Sequence, residues 1–125
     1  MTKVIISEDC GNSPKNIFLQ KLTIAFAKGD SRFILDSVTD DIRWEIVGDR
    51  LIDGKEHLSE ALQKMKNNNA VELTIHHVAT HGKAGAVDGK IKRKDGSLHA
   101  FCDVYDFQGA KAILIRAITS YLIEI

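Results

Sequence analysis

Cysteine, proline and tryptophan are scarce in this chain, and neither sign of charge prevails. Among 125 residues there are two cysteines, one proline and one tryptophan. Cys10 and Cys102 stand far apart, with no CxxC and no metal-ligand spacing. That pattern argues against a disulfide framework and a zinc site, so two reduced thiols are expected. Seventeen basic and seventeen acidic side chains cancel. No broad field is left to attract nucleic acid or an anionic membrane, and neither partner is expected. No apolar run reaches the roughly 18 residues of a spanning helix. The opening "MTKVIISEDC" has too short an apolar stretch for a secretory signal, so a cytoplasmic location is expected.

What is present reads as an ordinary folded domain, with 44% apolar and 27% charged residues. That length suits a single compact core. "NSPKNIFLQKLTIAFAKGD" carries helix punctuation: Ser13 to cap, Pro14 for the first turn and Gly29 to stop. Phe18, Leu22, Ala25 and Phe26 make its apolar stripe. "DSRFILDSV" predicts a short second helix, "TDD" a turn, and "IRWEIVG" a strand in which Ile42, Trp44 and Ile46 alternate with Arg43, Glu45 and Val47. "DRLIDGKE" reads as a turn-rich link into a third helix that turns Leu58, Ala61, Leu62 and Met65 inward. The remainder predicts strands over about 71–81, 84–94, 97–107 and 111–124, with "DG" at 95–96 as a tight-hairpin signal. Early helices followed by an antiparallel meander argue for an α+β fold. Residues 1–12 are expected to be a flexible segment and 13–125 a single domain.

Three stretches, in this order and spacing, resemble the nuclear transport factor 2-like superfamily, which includes ketosteroid isomerases, SnoaL-like polyketide cyclases and limonene epoxide hydrolases. They are "AFAKGDSRFILDSVTDDIRWEIVG", "LIDGKEHLSEAL" and "CDVYDF…ILIRAITSYLIEI". The resemblance implies a cone: a strongly curved, mixed or antiparallel sheet wrapped on three helices from the N-terminal half. It also implies an internal apolar pocket for a small hydrophobic molecule, and homodimerisation through the outer sheet face. By the same resemblance Asp103 matches the aspartic acid that ketosteroid isomerases keep protonated to donate to an enolate oxygen. Strand parity then puts Phe101 and Tyr105 on the pocket side, and alignment of the last strand adds Arg116, Ile118, Ser120 and Leu122. Trp44 and Ile46 join from the first strand, and Phe18, Leu22 and Phe26 close the wall.

Asp103 lies between aromatics in "FCDVYDF", so its carboxyl must be solvated, paired or held neutral. Arg116 beside it would favour the carboxylate and defeat a neutral-donor role; alternatively Arg116 grips an anionic ligand group. His77 is a candidate general base, since histidine is the side chain suited to proton transfer near neutral pH, and Asp88 a candidate partner for Asp103. His77 and His81 sit roughly 13 Å apart along a strand, too far for one metal ion, and no metal is expected. "KIKRK" reads as exposed lysines on a sheet edge. The departures from the family's enzymes are as telling. Ile46 stands where the isomerases have their base, and Leu22 where they have a tyrosine donor. Phe101 stands two positions before the acid, where the epoxide hydrolases have an arginine. Ordinary isomerase chemistry is therefore not expected. A cofactor-free isomerase, cyclase or hydrolase is one reading, with Asp103 as the acid/base or oxyanion-side donor and Tyr105, Arg116 and His77 as helpers. A non-catalytic ligand-binding or scaffold domain is the other.

Overall fold

The computed structural model describes residues 2–125. Its elements run β1 (Lys3–Ile6), α1 (Pro14–Lys28), α2 (Ser31–Asp36), β2 (Val38–Ile46), β3 (Arg50–Asp53), α3 (Lys55–Met65), β4 (Ala70–His81), β5 (Ala84–Arg93), β6 (Leu98–Phe107) and β7 (Ile115–Glu124). The seven strands form one open sheet in the order β1-β4-β5-β6-β7-β2-β3. The pairs β1–β4 and β2–β7 are parallel and the others antiparallel. This is the expected α+β cone, a mixed sheet bent over three helices.

Local chemistry accounts for the helices. Ser13 accepts from the Asn16 amide at the start of α1, and Gly29 ends it at φ 75°, a left-handed conformation that favours glycine. Asp30 caps α2 by accepting from the Phe33 amide. In α3, Leu58, Ala61 and Leu62 are buried, with Met65 packed against the same core.

Three local expectations are corrected. Residues 3–6, within the segment expected to be flexible, pair with Glu72–Ile75 of β4, and Cys10 behind them is buried. "TDD" is not a turn but the irregular start of β2, where the register against β7 shifts between Val38 and Arg43. "DRLIDGKE" contains β3, which pairs with Arg43–Ile46. In each case a short segment gains ladder hydrogen bonds from a neighbour distant in sequence, which local propensity does not register.

The sheet bends at irregularities that also reset which side chains face inward. In β4 the register against β5 shifts between Ile75 and His77, so His76 is the additional residue of a bulge. Inward positions Leu73 and Ile75 are followed by Val78, and His77 turns outward. Opposite this bulge sits Gly89, where an added Cβ would overlap the Thr74 carbonyl. Only glycine lets the two backbones approach there. A second shift, between Asp106 and Phe107 on β6, skips Arg116 on β7, leaving Ile115 and Ala117 as the paired residues.

Candidate functional site

The concave face and the helices enclose a cavity of about 290 Å³. Its walls take Phe26 from α1, Trp44 and Ile46 from β2, Phe101 and Tyr105 from β6, and Ile118 from β7. Trp44 and Phe26 pack with ring centroids 5.1 Å apart. Of the helix residues expected on this wall only Phe26 lines it, joined by Thr23 and Ala27. Leu22 is fully buried, and Phe18 packs on Phe33 and Phe107 elsewhere in the core.

Asp103 lies on the inner face of β6, opposite Val87 on one side and Ser120 on the other. The cavity reaches it, leaving it half-buried, while protein atoms surround it elsewhere. Loss of water pushes its carboxyl up to about 6, against a hydrogen bond from Ser120 that favours the carboxylate. The polar chain is directional. Trp44 Nε1–H donates to Ser120 Oγ at 2.8 Å, which leaves the serine proton free for Asp103. Tyr105, two residues on, is fully buried, with Thr23 hydrogen-bonded to its hydroxyl. Burial, reinforced by the charge of Asp103, holds its phenol well above the usual range, so it stays protonated.

Asp103, Trp44, Ile46, Phe101, Tyr105, Ile118, Ser120 and Leu122, all expected on the pocket side, thus line one cavity. Arg116 and His77 do not. Arg116, skipped by the β6–β7 bulge, is exposed on the far side of the sheet and cannot neutralise Asp103. His77 is turned outward by the β4 bulge, where its Nδ1 meets Asp88 Oδ1 at 2.9 Å on the sheet's outer surface. Asp88 therefore does not partner Asp103; the inward residue at that level is Val87. Both corrections have one cause: a single added residue inverts the alternation of a strand beyond it. Among the described residues no three His, Cys, Asp or Glu side chains gather to hold a metal ion.

The site also has polar groups that sequence reasoning passed over. Arg93 lines the cavity from the end of β5, with Arg50, Asp49, Asn68 and Asn69 around the mouth. "KIKRK" is not on a sheet edge, since β5 lies between β4 and β6. Its lysines face outward, while Gly89, Ile91 and Arg93 follow the inner face. The signal was available: apolar Ile91 marks the inner side, and Arg93 shares its parity.

The family model described as the SnoaL-like domain matches residues 19–115, and the chain belongs to that family. No curated protein matches its sequence. Solved structures give the fold alone. A nuclear transport factor 2-like protein of unknown function from Cytophaga hutchinsonii is 24% identical, with TM-score 0.67 over 86% of this chain and 97% of that one. One from Burkholderia xenovorans is 17% identical, with TM-score 0.74 over 89% and 84%. An LEH-like epoxide hydrolase from M. tuberculosis is 19% identical, with TM-score 0.73 over 86% and 80%.

Proposed function

We propose that the cavity binds a small, mostly apolar molecule and that Asp103 performs cofactor-free acid–base chemistry on a carbonyl-bearing ligand. One observation carries this reading: a carboxyl faces an apolar-walled cavity with no cation within salt-bridge distance among the described residues. Held at about 6, it exists in both protonation states near neutral pH and can give or take a proton there. Ser120 holds it in place, fixed in turn by Trp44. Tyr105 supplies a second hydroxyl on the same strand face. Isomerisation, cyclisation and hydrolysis all draw on such a pair.

A second reading, ligand binding without turnover, is favoured by what stands beside Asp103. Ile46 and Ile118 line the neighbouring wall, and no histidine lines the cavity among the described residues. A reaction needing a separate base would lose about 10² to 10⁴ in rate without one. The outer face of β6 and β7 supports homodimerisation under either reading. There Val104, Tyr121 and Ile123 are 38%, 47% and 65% exposed, and the neighbouring Cys102 and Ala100 are half-buried.

The single tryptophan lines the cavity, so its emission reports occupancy. A decalone, a neutral bicyclic ketone, is expected to shift Trp44 emission saturably. Deuterium exchange at the ketone's α-carbons is expected with the natural protein and not with Asp103→Leu, while binding persists in both. Binding without exchange leaves the non-catalytic reading. No saturable response removes the ligand site itself.

A further inference from the structure

Arg93 is half-buried against the cavity and engages in no ion pair and no side-chain hydrogen bond among the described residues. Its nearest acid in sequence, Asp95, forms no salt bridge with it and is hydrogen-bonded elsewhere. One Asp95 oxygen accepts from the Ser97 amide at 2.9 Å and the other from Asn68 Nδ2 at 3.0 Å. Asn69 is likewise committed, donating to the Lys28 carbonyl. Withdrawing a guanidinium from water without a partner is unfavourable, and here burial weakens its hold on the proton despite the field of Asp95. At the mouth Arg50 adds a second positive charge and Asp49 one negative charge. The cavity is therefore chemically polarised, with a free planar cation at one end and the Asp103 carboxyl deeper in.

We infer that the ligand of this cavity is an apolar molecule bearing a terminal carboxylate, gripped by Arg93 at the mouth with its uncharged portion extending toward Asp103. A guanidinium fork matches the two oxygens of a carboxylate. Asp49 at the rim disfavours a dianion such as a phosphate monoester. The lengths agree. Arg93 lies six residues along β5 from Val87, the cross-strand partner of Asp103 (93 − 87 = 6), or about 20 Å of strand. The bend of the sheet and the arginine side chain take up part of that distance, leaving room for a chain of intermediate length. This inference rests on the cavity being a ligand site, but not on catalysis.

The test uses octanoate and its neutral counterpart octanamide, titrated against Trp44 emission at about pH 8. At that pH octanoate and Arg93 are both fully charged. Octanoate is expected to bind at least about tenfold tighter than octanamide, and added salt should narrow the gap. Arg93→Met should bring the two within about twofold, and Arg93→Lys should retain only part of the preference. Equal binding of the two probes by the natural protein, or a preference that survives Arg93→Met, overturns the inference and leaves the ligand site standing. If neither probe binds, the inference falls, and the decalone response decides whether the ligand site stands. Should Arg93→Met not fold, the natural protein's probe ratio and Arg93→Lys decide the matter.

Discussion

Replacing Asp103 with asparagine should stabilise this protein at neutral pH, and the gain should vanish in acid. Its carboxyl titrates near 3.8 when unfolded and is pushed up to about 6 by its surroundings in the fold. Well below 3.8 the group is neutral in both states and imposes no penalty. Above about 6 it is ionised in both, and the folded state bears the whole cost of a poorly solvated charge. That difference in acidity corresponds to about 3 kcal/mol, an upper bound because the cavity admits water to the half-buried group. Asparagine keeps the shape and can still accept from Ser120, so the comparison isolates the charge. Urea unfolding of both proteins at about pH 4, 6 and 8 measures it directly. The asparagine form should lead by roughly 2–3 kcal/mol at pH 8, on the order of 10 °C in Tm, and by little at pH 4. Every other carboxylate titrates alike in both proteins and cancels. A gap independent of pH, or a loss of stability at pH 8, would refute the assignment of Asp103 to a desolvated site.

Gly89→Ala should lower stability by about 3 kcal/mol or more, since the added methyl meets the Thr74 carbonyl rather than a side chain that can turn aside. An unchanged urea midpoint would show that the β4 bulge does not bring the strands together as described. Arg116→Ala and His77→Ala should each change stability by no more than about 0.5–1 kcal/mol and leave Trp44-reported binding untouched, because both residues lie on the outer face. A tenfold loss of affinity in either would return that residue to the cavity wall.

Much of the architecture was legible because it is written in local signals. Ser13, Pro14 and Gly29 bracket α1, Asp30 starts α2, and Gly96, at φ 86°, turns the β5–β6 hairpin. These devices act within a few residues, so sequence spacing conveys them. The inward file of β6 was equally readable: Phe101, Asp103 and Tyr105 alternate without interruption through to the cavity. Arg116 and His77 went astray because parity was carried across bulges that the sequence does not mark, whereas Asp88 has the opposite parity to Val87 and Gly89 on an uninterrupted β5. Pairing irregularities depend on the partner strand, and a shift of one residue exchanges inside for outside. β1 and β3 were missed for a related reason: four-residue strands have too few positions to display a period.

The sequence alone determined the order of the helices and the longer strands, and an acid set among aromatics on one strand face. Those follow from periodicity and capping, which operate over a turn or a pleat. Only the tertiary structure decided that Asp103 has no cation within salt-bridge distance among the described residues, that Ser120 and Trp44 stand behind it, and that Arg93 faces inward at the mouth. The reason is physical. A carboxyl's acidity and a guanidinium's need for a partner are set by which distant strands the bent sheet brings within a few ångströms. The register shifts and the close approach at Gly89 that accompany the bending appear only once the strands are paired.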